Sequence, residues 1–286
     1  MVSKKTWFIT GAGRGFGLQW ARAALSRGDR VAATARDAAA LEGLSSEFGD
    51  AVLPLALDIT HREDVFAAVQ QAHAHFGRLD IVLSNAGSGL MGAVEEVDMD
   101  MVRAAFDVNV FGTLSVVQAA LPLLRTQGSG HIIGVSSVAG VVAVPTAGIY
   151  EGTKFAVEGI FEALAAEVAD FGIHVTLLEP GAYATDFFSA GSLTTAPALP
   201  EYDPLRERLD SMTMESLGDP AATAPVLLKV VDAEKPPLRI ILGDLLPLVR
   251  ETYDQRIKTW EEWQDESLAA LGRDAKQLTP QSGEKA

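Results

Sequence analysis

This chain predicts an α/β fold: a parallel sheet with helices on both faces. Three observations predict it. Short apolar runs alternate with longer amphipathic segments from Thr6 to Gly243. The runs are rich in Val, Ile and Leu and do not alternate in polarity, as expected of strands covered on both faces. Glycines close the intervening segments at Gly28, Gly49, Gly77, Gly128 and Gly172, where helices end.

In chain order, the predicted strands are Thr6–Thr10, Arg30–Ala35, Val52–Leu57, Ile81–Asn85, His131–Ser136, His174–Glu179 and Arg239–Leu242. Helices are clearest over Phe16–Ser26 and Arg62–His75. A longer helix is expected over Met101–Leu124, through Val102, Phe106, Val110 and Leu114, and another over Thr146–Phe171. Two regions break the alternation. Ala182 to about Leu217 sets Phe187, Phe188, Leu193, Leu199, Met212 and Met214 among Ser, Thr and Pro, and is read as a substrate loop ordered by ligand. Residues 1–246 then form one domain. Residues 247–286 form a charged helical extension carrying Trp260 and Trp263, ending in a tail, Gln277 to Ala286, expected to be disordered.

Composition narrows the function. The chain has 286 residues, is 48% hydrophobic and carries a net charge of −15 with no basic patch, which argues against nucleic acid and anionic membrane as partners. There is no cysteine, so neither disulfide nor thiolate chemistry is available. The five histidines, His61, His73, His75, His131 and His174, are scattered and suggest no metal site. The N-terminus lacks a signal-peptide pattern, and no apolar run is read as approaching the ~20 residues that span a bilayer. A cytoplasmic protein is expected.

Thr10-Gly11-Ala12-Gly13-Arg14-Gly15-Phe16-Gly17 follows a strand and opens a helix. Glycines there permit a tight turn and close approach to a pyrophosphate, and a helix N-terminus favours anionic oxygens. The spacing is T-G-x-x-x-G-x-G. The second strand ends Ala35-Arg36-Asp37, where dinucleotide sites read the ribose. Arg36, with Arg14 from the glycine turn, favours the 2′-phosphate of NADP; Asp37 would favour NAD if the strand ran further. Asp58, followed by Ile59 after the third strand, is placed either against an adenine amino group or as a helix N-cap. Asn85-Ala86-Gly87 ends the fourth strand, with small residues that let a cofactor lie against backbone. Asn109 is polar within an apolar helical stretch and needs a reason to be there. Pro180-Gly181 ends the sixth strand, with Thr185 beyond. Tyr150 and Lys154 lie four apart on one helix face, a spacing that suits a proton-transfer pair, with Ser137 one loop upstream.

Together these residues resemble the short-chain dehydrogenase/reductase family, from about Lys5 to Gly243: Thr10 to Gly17, Asp58, Asn85-Ala86-Gly87, Asn109, Ser137, Tyr150 with Lys154, and Pro180-Gly181 with Thr185 appear in the family's order. The resemblance implies a Rossmann-type doubly wound sheet of seven strands and a homodimer or homotetramer. It also implies a catalytic tetrad of Asn109, Ser137, Tyr150 and Lys154. Tyr150 would exchange a proton with an alcohol or carbonyl oxygen that Ser137 also binds. Lys154 would lower the Tyr150 pKa and hold the nicotinamide ribose, and Asn109 would hold a relay water. Glu151, facing away from Tyr150, would stand near an oligomer interface. Cofactor-binding candidates are Gly11, Arg14, Gly15, Phe16, Gly17, Arg36, Asp58, Ile59, Asn85, Ala86, Gly87, Tyr150, Lys154, Pro180, Gly181 and Thr185. The leading reading is an NADP-dependent reductase or dehydrogenase acting on a small apolar ketone, aldehyde or secondary alcohol. A nucleotide-sugar epimerase or dehydratase on the same fold and a non-catalytic NADP-binding sensor are the alternatives.

Overall fold

The computed structural model describes residues 4–188, 191–210 and 217–272. Seven strands form one sheet: β1 (Thr6–Ile9), β2 (Arg30–Ala35), β3 (Val52–Ala56), β4 (Ile81–Ser84), β6 (Gly130–Val135), β7 (Ile173–Pro180) and β9 (Arg239–Leu242). Their order is β3-β2-β1-β4-β6-β7-β9 and every pairing is parallel. The chain winds outward from β1 in one direction and from β4 in the other. A crevice therefore opens beyond the C-terminal ends of β1 and β4, where ligands bind in open α/β sheets.

Alternation along the central strands divides the core in two. Trp7, Ile9, Leu83 and Ile133 pack against α1 (Gly15–Ser26), α2 (Glu42–Phe48) and α8 (Ala224–Asp232). Phe8, Val82 and Ile132 pack against α3 (Arg62–Phe76), α5 (Thr113–Gln127) and α6 (Gly148–Val168). The sheet is thus covered on both faces, which is why its strands read as unbroken apolar runs.

Helical residues run unbroken from Met99 to Gln127, as α4 (Met99–Phe106), a π-helical stretch (Asp107–Gly112) and α5. By length and composition this run is apolar enough to cross a membrane, contrary to the sequence expectation. Its apolar side chains Val116, Val117, Ala120 and Leu124 are buried against α3 and the sheet.

Several elements were not anticipated. α2 has only seven residues and includes Gly43, too short for a helical period to register. Within the expected substrate loop, β8 (Leu193–Thr195) pairs in parallel with β5 (Gly89–Met91), and α7 (Asp203–Asp210) follows. Met212 and Met214 lie outside the described residues, as does the Gln277 to Ala286 tail. The chain divides into two compact units, Met1–Asp244 and Leu245–Ala286. The second contains α9 (Leu246–Glu262) and α10 (Gln264–Ala269), with Trp260 and Trp263 exposed.

Candidate active site

The glycine turn is fixed from across the crevice. Thr10 Oγ1 accepts from the Asn85 and Ala86 amides at 2.9 and 3.0 Å, and Asn85 Nδ2 donates to the Thr10 and Gly11 carbonyls at 2.9 and 3.2 Å. Gly11 adopts φ +67°. A Cβ on Gly17 would stand 2.3 Å from the Gly11 carbonyl oxygen. α1 therefore starts hard against the end of β1. Arg14, before its first turn, is extended, and neither a capping side chain nor an acidic residue occupies that turn. Amides left this way suit a pyrophosphate, so the turn fits the dinucleotide the sequence implies. The Phe16 ring stacks on Trp20 at 4.9 Å and meets Tyr183 edge-on at 5.1 Å. Thr185 lies across from Gly15, where an added Cβ would meet it at 3.5 Å.

At the ribose end, β2 stops at Ala35. Arg36 Nη2 donates to the Gly191 carbonyl at 3.2 Å, and Arg14 Nη2 reaches the same oxygen at 3.3 Å while also bonding Ser192 Oγ. Asp37 is committed elsewhere: Oδ1 accepts from the Ala39 amide at 2.9 Å and caps a short 3₁₀ turn. Asp58 is not a helix N-cap, since His61 precedes α3; instead Asp58 Oδ1 closes a local turn on the Thr60 amide and hydroxyl at 2.9 and 2.8 Å. Burial raises the Asp58 pKa, but the Thr60 hydrogen bonds and the nearby His61 and Arg36 outweigh it, leaving a net lowering. Ile59 is buried and packs on Gly112, where a Cβ would come within 2.8 Å of it.

α6 carries Tyr150 in its first turn and Lys154 one turn later. Lys154 Nζ lies 5.8 Å from the Tyr150 ring centre and donates to the Val135 carbonyl at 3.0 Å. The Ser137 hydroxyl is near enough to the Tyr150 phenol to act against the rise in its pKa, and it donates to the Pro180 carbonyl at 3.2 Å. Gly87 stands beside the ammonium, where a Cβ would meet Asn109 Oδ1 at 3.2 Å and Lys154 Nζ at 3.6 Å. Gly181 is held to the sheet through its amide, which donates to the Leu242 carbonyl at 3.0 Å.

Asn109 has a bracing role that the sequence did not show. Its side-chain oxygen accepts from the Ser88 amide at 2.8 Å, and its Nδ2 donates to the Ser88 carbonyl at 2.8 Å and Thr153 Oγ1 at 3.0 Å. Both amide protons are used, so the side chain braces the fourth strand's exit against α6. Glu151 differs from expectation: it is buried, not at a surface, and Oε1 accepts from the Val144 amide at 2.7 Å, tying down the loop before Tyr150. A carboxylate directly after Tyr150 in an apolar helix was the available signal.

Burial pushes the Tyr150 phenol up to about 12, with the Ser137 hydroxyl opposing and the Glu151 charge adding. Burial pushes the Lys154 ammonium down to about 8, opposed by the Glu158 charge. The expectation that Lys154 lowers the phenol's pKa is therefore not met in this state, in which Nζ is turned to the Val135 carbonyl. A neutral phenol is the form a proton donor needs. Lys154 is charged below about pH 8 and loses its proton above it. Dinucleotide affinity should accordingly hold through neutral pH and weaken as pH rises past that value, and Lys154→Met should remove this limb. A fluorescence titration across pH measures it.

The segment expected to form a substrate loop is tied at several points. Phe187 lies 5.5 Å from the Tyr150 ring, and a Cβ on Gly89 would meet both Phe187 and Leu193 at 2.7 Å. Glu96 accepts from the Ala93 and Leu199 amides, each at 2.7 Å, and pairs with Arg206. The Leu199 amide, above all, holds the Glu96 carboxyl below its ordinary 4.5 despite some desolvation. These ties act above that value and are lost as pH falls through the lowered one. Glu96→Ala should expose Leu199 to Asp210 to protease, a change read by comparing cleavage patterns with the wild type.

A doubly wound parallel sheet, an uncapped glycine turn at its switch point and a Ser-Tyr-Lys set beside it define a dinucleotide-dependent oxidoreductase. The chain belongs to the short-chain dehydrogenase family, whose description matches residues 5–194. It is 40% identical to the oxidoreductase BOA17 of Botryotinia fuckeliana over 93% of this chain and 99% of that protein. It is 34% identical to a 3-ketodihydrosphingosine reductase of Bacteroides thetaiotaomicron over 88% of this chain and 91% of that protein. Among solved structures, a short-chain dehydrogenase from Streptomyces avermitilis superposes with a TM-score of 0.85 at 35% identity, covering 94% of this chain and 99% of that one. A 3-ketoacyl-(acyl-carrier-protein) reductase from Brucella melitensis, complexed with NADH, gives 0.72 at 29% identity, covering 85% and 99%. An alcohol dehydrogenase from Thermococcus sibiricus, complexed with 5-hydroxy-NADP, gives 0.69 at 27% identity, covering 84% and 96%.

Proposed function

We propose that this protein is an NADP(H)-dependent reductase of apolar ketones or aldehydes, with Tyr150 as the proton donor. The observation that carries the cofactor choice is the convergence of Arg14 and Arg36 on the Gly191 carbonyl, while Asp37 is engaged in its own turn. Two guanidinium groups already gathered at the end of β2 suit a dianionic 2′-phosphate, which they grip with charge-assisted hydrogen bonds. Support for an apolar carbonyl substrate comes from Phe187 beside Tyr150, with Leu193 and Phe187 both packed at Gly89, and from the 3-ketodihydrosphingosine named for the Bacteroides relative.

When bound, the nicotinamide supplies the hydride. The Ser137 hydroxyl turns from the Pro180 carbonyl to the substrate oxygen and holds it beside the phenol. Tyr150 gives its proton to that oxygen as negative charge develops there. The Lys154 ammonium stabilises the phenolate left behind and holds the ribose. Asn109 keeps the Ser88 and Thr153 segments in register. Phe187, beside the phenol, excludes bulk water from the reacting oxygen.

A cytoplasmic homo-oligomer is part of the same proposal. Exposed Met99, Phe111 and Phe155 on α4, the π-helical stretch and α6 support a second copy packing on these helices.

Titrations with NADPH and NADH test the cofactor choice. NADPH should bind tens-fold tighter or more, as hydrogen bonds to a charged group contribute roughly 1.5–3 kcal/mol each. Arg36→Leu should erode the difference through weaker NADPH binding. Tighter binding of NADH by the wild type would overturn it.

A further inference from the structure

Behind Lys154, on the sheet face that α6 covers, lies a buried polar cluster. Glu158 follows Lys154 by one turn of α6 and is 5% exposed. Glu179 near the end of β7 and Ser136 just past β6 are each 3% exposed. Arg239 enters from the sheet edge on β9. Its Nε donates to Glu158 Oε2 at 2.9 Å and stands 3.6 Å from Glu179 Oε1, and its Nη2 donates to Glu162 Oε2 at 2.8 Å. α6 presses close here: a Cβ on Gly140 would come 2.5 Å from Ser136 Oγ, 3.0 Å from Glu158 Cγ and 3.3 Å from the Lys154 main chain. Ser136 Oγ, Glu158 Oε1 and Glu179 Oε1 are buried with no hydrogen-bond partner. Unsatisfied buried oxygens are costly, so a cluster holding three of them calls for a reason beyond packing.

We propose that Glu158 is a positioning residue for the reaction: fixed by Arg239 one turn behind Lys154, its carboxylate is the counter-charge that keeps the buried ammonium charged. This rests on Lys154 serving dinucleotide and phenol as described above. An ammonium that is 6% exposed and bonded to a neutral carbonyl needs a negative charge within the same low-dielectric region. The groups facing the cluster are Lys154, Glu158 and Glu162 from α6, Glu179 from β7 and Arg239 from β9. Lys154 and Arg239 balance Glu158 and Glu162, which leaves Glu179 as the surplus acid. Burial and the Glu158 charge push Glu179 up to about 7 against the pull of Arg239, so near neutrality it carries a proton part of the time.

The test is the alkaline limb at which Lys154 loses its proton. It is read in two ways: as NADPH binding against pH, and as kcat/KM for ketone reduction against pH. Glu158→Gln removes the negative charge at constant size and should move both limbs to lower pH by about one unit. Glu158→Asp keeps the charge and should hold them near the wild-type position. Arg239→Met removes the neighbouring positive charge and should move them the other way. A purely structural role for the cluster would lower the melting temperature of the Gln and Met variants without shifting the limbs in opposite directions. Limbs unchanged in folded Glu158→Gln would overturn the proposal, and where that variant does not fold, an unmoved limb in Arg239→Met would do so. Failure of the catalytic reading would look different: full turnover by Tyr150→Phe, or no alkaline limb for NADPH binding in the wild type.

Discussion

Tyr150→Phe should lose turnover by about 10²–10⁴-fold while binding dinucleotide as the wild type does. The change deletes one oxygen and its proton. The ring keeps its place 5.5 Å from Phe187, and Lys154 keeps its bond to the Val135 carbonyl. What disappears is the acid that protonates the substrate oxygen. Steady-state rates and a cofactor titration on the same preparation separate the two effects. A large loss of NADPH affinity would mean that the phenol holds the cofactor, and near-normal turnover would mean that another group supplies the proton.

Gly17→Ala should be nearly as damaging, through the cofactor. Its Cβ would stand 2.3 Å from the Gly11 carbonyl oxygen and 2.6 Å from Asn85 Nδ2. The carbonyl is main chain, so the glycine turn or the start of α1 has to shift. That shift breaks the bonds from Asn85 that hold the Thr10 and Gly11 carbonyls and moves the uncapped amides that suit a pyrophosphate. Dinucleotide affinity should fall by at least an order of magnitude, and the melting temperature should fall with it. Calorimetric titration and a thermal melt read both. Gly152→Ala is the matched control: nothing lies within 4 Å of its added methyl, and alanine favours a helix.

What could be read from the sequence was set by local physics. β2 and β9 have the bounds expected from the sequence, each an arginine followed by a short run of β-branched and aliphatic residues. The parallel direction of the seven strands follows from strand-helix alternation, because parallel neighbours need a crossover between them. The glycine turn announced itself because close approach of backbone leaves no alternative residue. Features that depend on distant partners were not legible. Glu96 is an ordinary surface carboxylate in the sequence, and only the fold brings Leu199 and Arg206 to it. The β5–β8 pair has three residues per strand, too few to carry a period. Asn109 was singled out correctly as needing a reason, but its partners Ser88 and Thr153 come from a strand exit and another helix. The phenol's raised pKa reflects burial, which residue spacing alone does not reveal.

The central claim is tested most directly by a single turnover. Protein loaded with NADPH is mixed with a long-chain ketone or aldehyde, and the reduced nicotinamide absorbance is followed. Loss of one equivalent per site is expected, faster and at lower cofactor concentration than with NADH, and abolished by Tyr150→Phe. Tight NADPH binding with no oxidation across a panel of apolar ketones and aldehydes would contradict it and leave a protein that binds dinucleotide without turning it over.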